Sequence, residues 1–144
     1  RPQLGPGKGH GPLGNDDFGR EGVTDDPADR YRFRTPGLLN IELTAPYGHA
    51  GQYATLEGIV RHYRDTEDNL RGYDPTRNVD DPALLGTIVD NTDAVALAID
   101  NRIDQPLNFD EAAVVAFLLA MTADDARDLS DVVPDSVPSA LPIH

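Results

Sequence analysis

Arg32–Tyr63 reads RFRTPGLLNIELTAPYGHAGQYATLEGIVRHY, and the end of it is a helix. Thr55 can accept from the first helical amides, and Leu56, Ile59, Val60 and Tyr63 fall at i, i+3, i+4 and i+7. At about 100° per residue Tyr63 lies near the centre of that apolar stripe, and His62 is turned off it beside Arg61. The expectation is a buried Tyr63 and an outward His62. Read plainly, Tyr63 is a core tyrosine whose hydroxyl finds a backbone partner. Upstream, Pro36 and Pro46 bracket LLNIELTA, which is too short for more than an extended link or a single turn.

Before that stretch, Tyr31 and Phe33 alternate with Arg30, Arg32 and Arg34, which predicts an extended segment with aromatics on one side and guanidinium groups on the other. Two readings stand. The arginines answer this acidic chain's own carboxylates, or at least one forks onto a buried carboxylate or phosphate of a bound cofactor. Residues 1–22 are rich in Gly and Pro, which disfavours helix and predicts an extended covering loop. The GPGKGHG run lacks the spacing and the strand-to-helix setting of a phosphate-binding P-loop. His10 in that loop reads as solvated rather than as a metal ligand.

After the Tyr63 helix, Asp65–Asp81 is polar and turn-prone and reads as a surface excursion. Asp81-Pro82 then opens a helix carrying Leu84, Leu85, Ile88 and Val89. AVALAI from Ala94 either continues that helix or starts another capped by Thr92. Asn108 with Glu111 resembles a capping box, and Val114, Val115, Phe117, Leu118 and Met121 form a broad apolar face expected to pack on the Tyr63 helix. Met121, the lone methionine, reads as a gap-filler, with axial metal ligation as the alternative. Residues 124–144 form an acidic, Pro-containing tail expected to drape over a surface.

Composition narrows function. The 144 residues fit one domain with a modest core, 39% apolar, and the 13 Gly and 12 Pro imply much irregular backbone. A net charge of −13 excludes a general nucleic-acid binder and an anionic membrane surface as leading partners, because phosphate neutralisation needs clustered Lys and Arg. The absence of cysteine removes disulfides, thiolate metal sites, a thiol nucleophile and the C-x-x-C-H haem attachment motif. No run of about 18 apolar residues offers a membrane span, and the first residues lack the apolar core of a signal peptide. The first residue is Arg, so the expectation is a processed product or a segment of a longer polypeptide.

Gly19-Arg20, Val23-Thr24, Phe33-Arg34-Thr35-Pro36, Leu38, Asn40 to Tyr47, His49, Gly51 and Thr55-Leu56 through Val60 stand in the order of a family pattern. The chain resembles, from about Asp17 to Thr122, the second haem domain of di-haem cytochrome c peroxidases and MauG-like enzymes, with extra sequence between Asp65 and Gln105. The terminal AAVVAFLLAMT is similar to the family's closing helix. The resemblance implies a mostly α, cytochrome c-like, loop-rich partial domain over residues 23–123, completed by a companion chain or upstream segment that carries the C-x-x-C-H motifs. It implies haem c with Tyr63 as distal iron ligand, a position where peroxidases of the family have methionine and MauG has tyrosine. It places Arg34 and His49 near the haem or its propionates, and implies calcium bound through the Thr44 and Pro46 carbonyls. Peroxidatic oxidoreductase activity centred outside this chain, a redox partner protein and a periplasmic or other extracytoplasmic location follow from it as well. Leu39 stands where the family has Arg, Gly37 where it has Ser or Thr, and Gly48 where it has a larger apolar residue. With the missing cysteines, these departures motivate the alternative of a haem-less domain acting as a structural or docking subunit.

Overall fold

The computed structural model describes residues 8–12, 14–78 and 82–130. Asp81 as a cap, the first seven residues of the covering loop and the tail beyond residue 130 lie outside them. Among the described residues the chain is helical and loop-rich, with no strand, only isolated bridges at His10–Asp16, Gly19–Arg32 and Tyr47–Tyr53. The helices in order are α1 Glu21–Thr24, α2 Leu56–Arg64, α3 Thr66–Arg71, α4 Pro75–Asn78, α5 Pro82–Leu85, α6 Thr92–Ala96 and α7 Glu111–Leu119. Short 3-10 turns occupy Pro27–Asp29, Ile41–Leu43 and Asp124–Ala126.

The core is the packing of α2 on α7. Leu56 and Val60 meet Val115 and Leu118, and Tyr47 joins from the loop, with Ile41, Tyr53, Ile59, Phe109, Val114 and Met121 around them. Met121 is thus the gap-filler its isolation suggested. Thr55 caps α2 by accepting from the Gly58 amide at 3.1 Å. Arg64 donates to Glu111 at 2.8 Å and Arg61 lies 3.5 Å from the same carboxylate, so the last turn of α2 sits at the first residue of α7.

Several expectations are corrected. Asp65–Asp81 is more than a surface excursion: Asp65 caps α3, which buries Thr66 and Leu70. The helix from Pro82 ends at Leu85, short of Ile88 and Val89, and the next is a separate helix preceded by Asn91 rather than capped by Thr92. The cap of α7 is Asp110, not Asn108; its Oδ1 accepts from Ala112 and Ala113 at 2.9 and 3.2 Å. Glu111 turns instead to the arginines of α2. Phe117 is 63% exposed, because α7 is apolar on all sides and α2 covers only the Val115–Leu118 side. The Arg30–Arg34 segment is not continuously extended either: Tyr31 takes φ 58° just after the Pro27–Asp29 turn. LLNIELTA is the single turn its length allowed.

Candidate functional site

The stretch Arg32–Tyr63 hangs on a tight loop. Tyr47 and Tyr53 exchange both backbone hydrogen bonds, at 2.7 and 3.0 Å, and the five residues between them project outward. Gly48 takes φ +86° there, with the Gln52 side chain folded over it, and that side chain accepts from the Ala50 amide at 3.0 Å. The buried Tyr47 donates its hydroxyl to the Ile41 carbonyl at 3.0 Å, tying the loop to the preceding turn. Asn40 ties that turn to the end of α7. Its amide donates to the Met121 carbonyl at 3.2 Å and its Oδ1 accepts from the Ala123 amide at 3.0 Å, while Glu42 and Arg127 form a two-point ion pair at 2.6 and 2.9 Å.

His49 stands at the tip of the loop and is half-exposed. Its Nε2 lies 2.7 Å from Asp17 Oδ2, and the Phe33 ring packs on it at 3.8 Å between centroids. Asp17 is held in turn by the Gly19 amide, which donates to Oδ1 at 2.9 Å. Gly19 has φ +61°, and a Cβ there would meet the Arg32 carbonyl oxygen at 2.6 Å, so glycine is required where the two segments cross. His49 and Phe33 are therefore brought together by an aspartate that the sequence reading passed over. Its only signal was its place two residues before Gly19.

Arg34 is exposed and has no ion pair among the described residues. Every other described arginine meets a carboxylate: Arg20 and Arg32 meet Asp29, Arg30 meets Glu21, Arg61 and Arg64 meet Glu111, and Arg71, Arg77, Arg102 and Arg127 find their own. Of the two readings of the Arg30–Arg34 series, the first thus describes Arg30 and Arg32. Arg34 stays open to an anion from outside. Around it Phe33, Leu38 and Leu39 are also exposed.

Tyr63 overturns the expected burial: it is 50% exposed, and its hydroxyl has no hydrogen-bond partner among the described residues. His62 is the more buried of the two. Its Nδ1 lies 3.1 Å from the Tyr53 hydroxyl, and burial pushes its pKa down to about 4, so the ring is neutral near pH 7. Burial likewise pushes the Tyr53 phenol up to about 12. The His62 ring also contacts Tyr63 at 5.5 Å, and Tyr53 contacts Tyr73 at 5.9 Å. The periodicity put Tyr63 inward and His62 outward, and the last turn of α2, which sits at the first residue of α7, has the reverse.

The donors left over suit the groups the resemblance implies. Tyr63 offers an unbonded phenol oxygen on an exposed helix face, and Arg34 a cation for a carboxylate. The exposed Thr44 and Pro46 accept no backbone hydrogen bond among the described residues, which leaves hard oxygen donors of the kind calcium prefers. No group of three or more His, Cys, Asp or Glu able to hold a metal occurs among the described residues. His10, exposed, stacks on Phe18 at 4.6 Å. An open polar crevice of about 540 Å³, lined by Arg71, Asp90, Asn91, Thr92, Asp93 and Ala94, contains no residue of the Arg32–Tyr63 stretch. Among the described residues no helix is long and apolar enough to cross a membrane.

No family model matches the chain, and no solved structure matches it. Characterised relatives do. A stretch of 45 residues is 49% identical to a cytochrome c peroxidase of Escherichia coli, covering 31% of this chain and 10% of that protein. Another of 51 residues is 41% identical to the methylamine utilization protein MauG of Methylorubrum extorquens, covering 35% and 14%. A longer one of 89 residues is 34% identical to a cytochrome-c peroxidase of Denitromonas iodatirespirans, covering 61% and 22%. The matched stretches thus span from a tenth to about a fifth of these relatives' lengths. The similarity reaches peroxidases and MauG alike, so over these stretches the chain is similar to cytochrome c peroxidases and to MauG.

Proposed function

We propose that this chain is the C-terminal portion of a di-haem c-type peroxidase or MauG-like oxidase, and that it forms the distal side of the electron-transfer haem pocket. The observation that carries this reading is Tyr63: a phenol left half-exposed and unbonded on α2, at the position the family uses for a distal ligand. Haem c supplies the one-electron redox chemistry, attached through C-x-x-C-H motifs on a companion chain or upstream segment, because this chain has no cysteine. Tyr63 contributes an anionic oxygen ligand, which favours ferric and higher oxidation states. Arg34 contributes the charge that receives a propionate, and the Phe33–His49 contact gives the wall a fixed edge. Thr44 and Pro46 contribute carbonyl ligands to a calcium ion.

The incomplete cover of α7 supports a cytochrome c-like domain finished by another segment. Ala112, Ala113, Ala116, Phe117 and Ala120 are exposed on a helix with no polar face, an arrangement that calls for a packing partner. An extracytoplasmic location and a redox partner protein belong to the same reading.

A pyridine haemochrome assay on the purified assembly tests the reading. Stoichiometric haem is expected, and an iron-to-protein ratio near zero would favour the second reading, a haem-less docking subunit, which the missing cysteines motivate. Tyr63→Phe should change the ferric absorption spectrum; an unchanged spectrum removes the ligand assignment.

A further inference from the structure

In the last turn of α2 the neighbours of Tyr63 are engaged and Tyr63 is not. Arg61 and Arg64 meet Glu111, and His62 meets Tyr53. The Tyr63 hydroxyl has no hydrogen-bond partner among the described residues. A side chain without a polar anchor points where its backbone and rotamer send it. A metal ligand works only when held to about 0.5 Å, so whatever fixes this turn of backbone belongs to the site.

The helix does not fix it unaided. The last four carbonyls of an α-helix have no partner within the helix, and α2 ends where Asp65 leaves helical geometry at φ −148° and caps α3. Groups from outside α2 reach the carbonyls that remain. The Leu107 amide donates to the Arg64 carbonyl at 2.7 Å. The half-buried Asn69 side chain, on α3, donates through Nδ2 to the Asp65 carbonyl at 2.7 Å and to the Arg61 carbonyl at 3.3 Å. Those two carbonyls stand two residues after and two residues before Tyr63, so one carboxamide spans the segment from which the phenol projects. α3 is itself fixed to the fold: Thr66 and Leu70 are buried, and Arg71 meets both Glu67 and Asp93.

We propose that Asn69 is a positioning residue for Tyr63, holding the end of α2 in the orientation from which the phenol oxygen reaches iron. It acts through the two backbone carbonyls and does not touch the ligand. A carboxamide suits the task because its nitrogen carries two N–H donors, one for each acceptor. A carboxylate of the same shape has none and would face both carbonyls with lone pairs. The identity of Tyr63 as the ligand rests on the proposed function, whereas the bridge over its turn does not.

The test uses the ferric haem-bearing assembly, read by tyrosinate-to-iron charge-transfer absorption and by the resonance Raman bands of a bound phenolate. Tyr63→Phe first defines the part of these signals that belongs to Tyr63. Asn69→Asp, which keeps the shape and removes the donors, should lower that part to about half or less at unchanged haem content, and Asn69→Ala should do the same. Signals equal to the parent's in both variants overturn the positioning role and leave Tyr63 ligation standing. Parent signals that Tyr63→Phe does not change remove the ligand assignment and the positioning role with it, so the two failures are told apart. Should neither Asn69 variant retain haem, amide hydrogen exchange in the full 144-residue chain decides. The amides of residues 61–65 should then exchange about fivefold faster in Asn69→Ala, the factor one net hydrogen bond is worth, with Val115 and Leu118 unchanged. Equal rates at residues 61–65 overturn the proposal.

Discussion

His49 Nε2 and Asp17 Oδ2 lie 2.7 Å apart although 32 residues separate them, and this bond closes the N-terminal loop over the 47–53 turn. Phe33 packs on the imidazole from one face, so the aspartate fixes both where the ring sits and which nitrogen faces inward. The imidazole is partly exposed, which limits the pair's contribution through solvent screening. Asp17→Ala is expected to cost about 1 kcal/mol of stability, including the Gly19 amide contact. In nuclear magnetic resonance spectra the His49 and Phe33 ring resonances should shift together. Unmoved ring resonances would show that the bond does not position His49.

The buried His62 gives the chain a pH-sensitive stability with a definite sign. Its folded pKa of about 4 lies below the ordinary value of 6.5, so between those values the unfolded chain binds more protons than the folded one. Stability is therefore fully present above about pH 6.5 and is lost as pH falls toward 4, by on the order of 3 kcal/mol. Carboxylates held low by arginine, such as Glu21 and Glu42, lose their contribution in the same direction but further into acid. Urea melts of the parent and of His62→Gln across this range isolate the histidine. A variant with the same slope as the parent between pH 6.5 and 4 would contradict the assignment.

What the sequence made legible was local. Thr55 and the 56/59/60/63 spacing specified α2 because cap and stripe are set within one helix. The exposure of Tyr63 depends on where α7 begins relative to α2, which Arg61, Arg64 and Glu111 fix across the fold and which no periodicity encodes. α3 was missed because TEDNLR carries one large apolar residue, Leu70, too few for a stripe. Asn108 and Asp110 both suit a cap, and the choice fell to the residue whose side chain reaches two amides. Of the candidate site, the residue types and their order were readable from the resemblance. The Asp17–His49 and Tyr53–His62 bonds were not, since each joins segments related only by folding.

Glu111 answers two arginines of α2, and Arg64, hydrogen-bonded to it, holds its carboxyl below the usual range. The group is solvent-exposed, so this clamp registers the two helices more than it stabilises them. Glu111→Gln should leave the melting temperature nearly unchanged while loosening the last turn of α2. Faster amide exchange from His62 to Arg64 would record this, and protection equal to the parent would argue against a clamp.

Leu118 and Phe117 are neighbours on α7 with opposite fates, and the contrast separates folding from assembly. Leu118 is in the core against α2, so Leu118→Ala removes buried methyl groups and is expected to cost about 2–4 kcal/mol in denaturant titrations. Phe117 is 63% exposed, so Phe117→Glu should alter the stability of the chain by less than about 0.5 kcal/mol. If the exposed side of α7 meets the haem-bearing segment, the same charge buried there without a partner is costly. Phe117→Glu should then weaken co-purification of this chain with that segment and lower the haem recovered, while the chain itself still folds. Full haem recovery from the Phe117→Glu assembly would show that this face of α7 stays in water and that completion of the domain happens elsewhere.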